Sequence, residues 1–248
     1  MQSGGQDSDG NRYRNAGEMW EQEVATPSAK DCWYTKGIDY WNKVDATVDG
    51  VLGGFGRISP NDLKHSNAFL QQVMGEAIAR AKEEGRELVV ADCGAGVGRI
   101  TKGLLSKHFT EVDVIEPVEH FLSQAKVLLR DCGAKVNFLL VPLQEVTVQP
   151  DRYDVVWIQW CIGHLTDDDC VAFLQICAQS LKPGGLIVVK ENNARRGFVL
   201  DKEDSSVTRS DAYLVQLFRK AGLTIATSSV EDDLPDGLFV VRAYALKP

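Results

Sequence analysis

From Leu88 onward the chain alternates short, unbroken apolar runs with segments of helical periodicity, and this alternation limits the folds open to it. LVVADCG, EVDVIEP, VNFLLVP, YDVVWIQW and GLIVVKEN each read as a strand. Their apolar positions are continuous rather than alternating, which implies strands covered on both faces, as in a parallel sheet. Helical patterns over Ile100 to His108, Glu119 to Asp131 and Asp167 to Leu181 supply the crossovers that such a sheet needs. The end of the chain differs. After a helix over Asp211 to Ala221, the runs LTIATSSV and LFVVRAYAL are separated only by DDLPDG, too short for a parallel crossover. The expectation is an α/β sheet of seven strands, mostly parallel, closed by a C-terminal antiparallel hairpin.

The N-terminal part reads differently. Residues 1 to about 15 are rich in Gly, Ser, Asp and Asn, a composition that does not repay its ordering entropy, so a disordered tail is expected over 1–15. Glu18 to Lys43 is amphipathic and holds three of the five tryptophans, Trp20, Trp33 and Trp41. Asp49 to Gly56 then carries four glycines in eight residues, enough to hinge a lid, although packing alone would also explain them. Ser66 is placed to cap a helix whose apolar positions Phe69, Leu70, Val73, Ala77, Ile78 and Ala81 follow helical spacing and which Gly85 ends. Residues 16–65 therefore read as a helical, aromatic extension with a lid, and 66–248 as the main domain.

Several function classes become poor fits. The net charge of -8, the isoelectric point near 5.1 and the absence of any block of Lys and Arg disfavour a nucleic-acid surface. The six cysteines are scattered, with no CxxC pair and no histidine at zinc-ligand spacing, so reduced thiols and no metal site are expected. No leader-like apolar segment and no run of 18 apolar residues occurs, so neither secretion nor membrane spanning is expected, and a monomer in the cytosol or nucleus is.

The chemistry concentrates at strand ends. In DCGAGVGR, Gly94, Gly96 and Gly98 stand at G-x-G-x-G spacing, whereas a dinucleotide fingerprint needs G-x-G-x-x-G. The shorter loop resembles the one that holds S-adenosylmethionine, with Asp92 able to accept from its ammonium and Arg99 able to pair with its carboxylate. A glycine turn kept for packing would look the same. Glu116 ends the second strand 24 positions after Asp92, where a carboxylate can accept from both ribose hydroxyls, near the separation of about 20 expected for that role. Leu143 and Gln144 follow the third strand, where an adenine-contacting loop would lie, and Gln159 ends the fourth. Ligands in such sheets bind beyond the carboxyl ends of the strands, so these residues can converge.

Four segments then carry a more specific resemblance: YWNKVDATVDGVLGGFGRIS, DCGAGVGRITKGLL, YDVVWIQWCIGHLTD and FVLDKEDSSVTRSD. Together they resemble the eukaryotic protein α-N-terminal methyltransferases, over about Tyr34 to Leu246. The resemblance implies a Rossmann-like class I methyltransferase fold and methylation of the free α-amine of chains that begin Xaa-Pro-Lys or Xaa-Pro-Arg, with S-adenosylhomocysteine as the other product. It also implies cofactor contacts from Gly94, Arg99, Glu116, Gln144 and Gln159, and Asp92, Gly96, Pro117 and Leu143, which stand beside them in the sequence, complete the expected cofactor set. Tyr40, Trp41, Leu52, Trp160, Asn192, Asp201, Asp204 and Ser206 match positions that hold the substrate, and His164 and Asp204 match the proton acceptors. After LPD the family tends to carry an acidic residue and a tyrosine, where this chain has Gly237, Leu238 and Phe239.

These residue types suit that chemistry. The nucleophile must be a neutral amine, and an α-amino group has a pKa of about 7.7 to 8.0, so a modest base such as His164 or Asp204 suffices. A proline fixes φ and lacks an N–H, so Trp41, Leu52 and Trp160 can clamp it by shape. A third-position cation wants the carboxylates of DKEDSS, Asp201, Glu203 and Asp204, although a solvated loop would read alike. Two other readings stay open: a small-molecule N- or O-methyltransferase, which needs an enclosed apolar pocket, and a non-catalytic cofactor-binding regulator, which needs no base.

Overall fold

Wherever the sequence carries an unbroken apolar run, the computed structural model places a strand; it describes residues 4–147 and 149–248. Two short strands, β1 (Gly5–Asp7) and β2 (Arg12–Tyr13), precede helices α1 (Ala16–Glu23), α2 (Pro27–Trp41), α3 (Val48–Val51) and α4 (Ser59–Glu84). Next come β3 (Val89–Cys93), α5 (Arg99–Gly103), β4 (Glu111–Ile115), α6 (Glu119–Leu128), β5 (Lys135–Leu139), β6 (Tyr153–Gln159), α7 (Asp167–Ser180) and β7 (Leu181–Asn193). A hairpin of β8 (Phe198–Asp201) and β9 (Ser206–Arg209), helix α8 (Asp211–Lys220), and strands β10 (Thr224–Glu231) and β11 (Val240–Lys247) complete the chain.

Seven strands form the main sheet in the order β10-β11-β7-β6-β3-β4-β5. The pairs from β7 across to β5 are parallel, and β11 pairs antiparallel with both β7 and β10, as the short DDLPDG connection requires. Because strand side chains alternate between faces, each strand feeds two cores. Val156, Ile158, Ile187 and Val189 face α7 and α8 residues such as Phe173, Leu174, Leu217 and Phe218. Val155, Trp157, Leu186 and Val188 face Phe69 and Leu70 of α4 and Leu122 and Ala125 of α6. Removing one of these large side chains, as in Phe69→Ala, should cost about 3–5 kcal/mol. Among the described residues no helix is long and apolar enough to cross a membrane.

Four expectations need correction. Residues 4–15 are ordered rather than a disordered tail: β1 lies between β2 and β8, and its polar groups are satisfied by strand pairing and by Asp7, which accepts from the Asn11 and Asp9 N–H groups. Residues 1–3 lie outside the described residues. Ser66 does not cap a helix; α4 begins at Ser59, with a proline in its first turn, and runs unbroken through the 65/66 division drawn from the sequence. The helix expected over Ile100 to His108 stops at Gly103, where Leu104 leaves helical geometry, and Leu105–Lys107 forms a separate 3-10 turn. Finally, β8 and β9 form a hairpin where no strands were expected, because runs of four residues carry little periodicity.

Candidate active site

Two concavities open at the carboxyl ends of β3, β4 and β6, where open α/β sheets hold their ligands. The first spans about 1090 Å³ including space open to solvent, and all nine residues expected at the cofactor line it: Asp92, Gly94, Gly96, Arg99, Glu116, Pro117, Leu143, Gln144 and Gln159. Its other wall is the N-terminal extension, through Trp33, Tyr34, Ile38, Trp41, Val51 and Leu52. Helix α2 is docked there by hydrogen bonds from Trp33 Nε1 to the His164 carbonyl at 2.8 Å and from Lys30 Nζ to Asp169 at 2.7 Å. Val97, Val118 and Phe121 pack against Ile38, Trp41, Val48 and Val51 and so fix the extension to the glycine loop.

The loop itself needs glycine. Gly94 has φ +66°, and a Cβ there would come within 2.5 Å of Cys161 Cβ. Gly96, at φ +56°, donates its N–H to Glu116 Oε2 at 2.7 Å. Glu116 Oε1 accepts from the Val118 N–H at 2.9 Å, and burial pushes this carboxyl up to about 7. Asp92 Oδ2 accepts from the Thr101 hydroxyl at 2.6 Å, which ties the strand end to α5, and burial lifts Asp92 to about 6.

Arg99 and Gln159 do not face the cavity as free groups. Arg99 Nη1 pairs with Asp62 Oδ2 at 2.5 Å and its guanidinium stacks 5.4 Å from the Trp160 ring centroid. Gln159 donates to Asp62 Oδ1 at 2.7 Å and accepts from Trp157 Nε1 at 3.0 Å. Asp62 also binds Lys190 Nζ at 2.5 Å, and Lys190 reaches Glu231 at 2.7 Å and Ser66 at 2.9 Å. The Asp62, Lys190 and Glu231 side chains are fully buried, so removing one partner should cost about 3–5 kcal/mol. Sequence reasoning missed this cluster. Its one signal was Lys190, a cation inside an otherwise apolar strand.

The second concavity shares Trp41, Val51, Leu52, Trp160 and His164 with the first. It adds Asn192, Asp204 and Ser206 on a polar side, and Phe55, Ile58, Leu234, Leu238 and Phe239 on an apolar one. Of the residues expected at the substrate, Tyr40 and Asp201 do not line it. Tyr40 stacks edge-on against Trp41 at 5.2 Å, and Asp201 is exposed, its carboxylate accepting from the Glu203 N–H. Burial, and then the charges of Asp204, Glu203 and Asp201, raise the Tyr40 hydroxyl above its ordinary range.

Trp160 has φ +56°, a strained backbone of the kind that collects at functional sites, and its indole N–H is buried without an acceptor. Asp204 Oδ1 and Glu191 Oε2 are also buried without donors. Burial raises both carboxyls, Glu191 to about 7, and the nearby His164 opposes the shift at Asp204. Glu191 was not singled out as a site residue from the sequence. His164 is engaged on both ring nitrogens: the Trp41 indole, which can only donate, meets Nε2 at 3.1 Å, so Nδ1 carries the proton toward the Ser205 carbonyl at 3.2 Å.

Residues 29–247 match the model of a family described as AdoMet-dependent proline di-methyltransferases, AdoMet being S-adenosylmethionine. The chain belongs to that family. The resemblance read from its four segments holds, as does the class I methyltransferase fold. Alpha N-terminal protein methyltransferase 1 of Arabidopsis thaliana is 48% identical over 98% of this chain and 90% of its own length. The human N-terminal Xaa-Pro-Lys N-methyltransferase 1 is 44% identical over 87% of this chain and 95% of its own. A SAM-dependent methyltransferase from Leishmania major superposes with a TM-score of 0.90 at 40% identity, over 98% of this chain and 96% of that one. As in the rest of the family, S-adenosylmethionine is the cofactor of this methyltransferase. The first cavity suits it, with a glycine backbone that no Cβ crowds and a buried carboxylate at the end of β4.

Proposed function

We propose that this methyltransferase acts on the free α-amino group of protein chains that begin Xaa-Pro-Lys or Xaa-Pro-Arg. One observation carries the reading: Asp204, with an unpartnered buried carboxylate oxygen, stands in a channel that shares a wall with the cofactor cavity. A buried acceptor without a donor calls for a cationic or N–H-bearing ligand. The name of the Arabidopsis relative supports an α-N-terminal protein acceptor, and that of the human relative an Xaa-Pro-Lys start.

Bound in the first cavity, S-adenosylmethionine would supply an electrophilic methyl group carried on a sulfonium. Glu116 would hold the ribose hydroxyls, Asp92 the ammonium, the free N–H groups of Arg99 the carboxylate, and Pro117, Leu143 and Gln144 the base. Gln159 would act through Asp62, which it orients, since its amide is already engaged. In the channel, Trp41, Leu52 and Trp160 would close on the proline ring by shape, without leaving an N–H unpaired. Asn192 and Ser206 would hold the first residue inside the channel, and the exposed carboxylates of Asp201 and Glu203, outside its lining, would attract the cation of the third.

Of the two candidate bases, Asp204 takes the proton in this proposal. His164 Nε2 already accepts from Trp41 and would have to release it. Burial raises the Asp204 carboxyl above its ordinary range, which makes its ionised form a better proton acceptor. His164 then positions Trp41. Most of the acceleration would come from holding the neutral amine in line with the methyl group.

Labelled S-adenosylmethionine and two peptides test the proposal, one beginning Ser-Pro-Lys and one identical but N-acetylated. Label on the free peptide alone is expected; label on both equally, or on neither, contradicts it.

A further inference from the structure

The loop that closes β8 and β9 carries a cation of its own. Lys202 lies between Asp201 and Glu203 in DKEDSS, the segment proposed to attract the substrate's third residue. A lysine there would compete with the substrate for the same carboxylates. Its ammonium is directed elsewhere: Lys202 Nζ is 2.7 Å from Asp7 Oδ2 and 3.9 Å from Asp9 Oδ2, and no described carboxylate of its own loop pairs with it.

Asp7 is built for that contact. Its side chain is fully buried, Oδ1 accepts from the N–H groups of Asp9 and Asn11, and Oδ2 accepts from Asn11 Nδ2 at 3.0 Å and from the Tyr13 hydroxyl at 3.1 Å. The backbone holds the two segments in register. Asp7 pairs with Leu200, the Ser8 N–H donates to the Leu200 carbonyl at 2.8 Å, and the Lys202 N–H donates to Ser8 Oγ at 3.3 Å. Gly5 lies against Phe198 so closely that a Cβ would come within 2.5 Å of its carbonyl oxygen. This N-terminal segment lies outside the span of residues 29–247 that matches the family.

We infer that Asp7 is a specificity-determining residue: by drawing Lys202 out of the acidic loop, it leaves the exposed carboxylates of Asp201 and Glu203 uncompensated for a cationic third residue of the substrate. The inference rests on the Xaa-Pro-Lys reading. Without Asp7 the lysine turns back into its own loop and screens it. The effect acts on the charge of the peptide's third residue, not on the cofactor or on the proton transfer.

The full chain tests this with Asp7→Asn, Lys202→Met and the double variant, assayed on a Ser-Pro-Lys peptide and on the same peptide with neutral norleucine at the third position. Asp7→Asn is expected to raise KM for the lysine peptide about fivefold, the scale of one partly exposed ion pair, with kcat and S-adenosylhomocysteine affinity unchanged. The norleucine peptide should not register the change, and Lys202→Met in the Asp7→Asn background should restore KM. Lys202→Met alone should leave KM as in the wild type, because its charge is already withdrawn. A KM defect that persists in the double variant, or is equal for both peptides, overturns the inference, as does an unaltered KM in Asp7→Asn or a lowered KM in Lys202→Met alone. A wild type that labels neither peptide overturns the substrate reading and this inference together.

Discussion

The two halves of the site are built on opposite plans. In the cofactor half the polar groups have protein partners: Glu116 accepts from Gly96 and Val118, Asp92 from Thr101, and Gln159 donates to Asp62. In the acceptor half, Trp160 Nε1, Asp204 Oδ1 and Glu191 Oε2 are buried without partners. Each such atom costs about 1–3 kcal/mol, a cost that an incoming polar group removes. On the proposed reading the cofactor half is thus preorganised before anything binds, and the acceptor half is completed by its substrate. Changes in the first should register in cofactor affinity, and changes in the second in turnover or peptide KM.

The sharpest way to break this division is Asp204→Asn, which should lower kcat on the order of a hundredfold or more while S-adenosylhomocysteine affinity, by calorimetry, stays the same. Equal losses in both would join the halves. Gly94→Ala is the converse. A Cβ 2.5 Å from Cys161 Cβ at φ +66° should weaken cofactor binding by about 2–4 kcal/mol, on the order of a hundredfold, and high cofactor concentration should recover part of the rate.

Glu116→Gln should weaken cofactor binding about tenfold. It carries a pH signature as well. Burial holds Glu116 near 7, and hydroxyl donors favour its ionised form, so wild-type affinity should fall as pH is lowered through about 7. The Gln variant should lack that slope; titrations between pH 6 and about 8, spanning the shifted value, check both statements. The smallest effect belongs to Phe239→Tyr. Phe239 lines the acceptor channel and is 42% exposed, so a hydroxyl there should lower peptide KM about threefold and leave cofactor affinity alone.

The same contrast governs what the sequence reveals. The cofactor half is legible because backbone geometry dictates residue type: positive φ demands glycine at Gly94 and Gly96, and a parallel strand ends where Asp92 and Glu116 must stand. The acceptor half is assembled from α2, α3, the turn after β6, β7 and the β8–β9 hairpin, which are distant in the chain, and no local pattern announces their meeting. Only the resemblance of whole segments brought Trp41, Trp160, Asn192 and Asp204 together.

Asp62 escaped because α4 was read from its apolar stripe, which begins at Phe69, while the proline in its first turn marked a start ten residues earlier. The strands β1 and β2 escaped because three and two residues have no periodicity to detect, and their order comes from Asp7 and from pairing with β8. Polar composition is a poor guide where the stabilising contacts are themselves polar.

Tandem mass spectrometry of the product formed from a Ser-Pro-Lys peptide tests the acceptor half most directly, because it locates the transferred methyl group. Methyl on the α-nitrogen, with the lysine side chain unmodified, is the predicted result. Methyl on the lysine Nζ, with the α-nitrogen untouched, would contradict it.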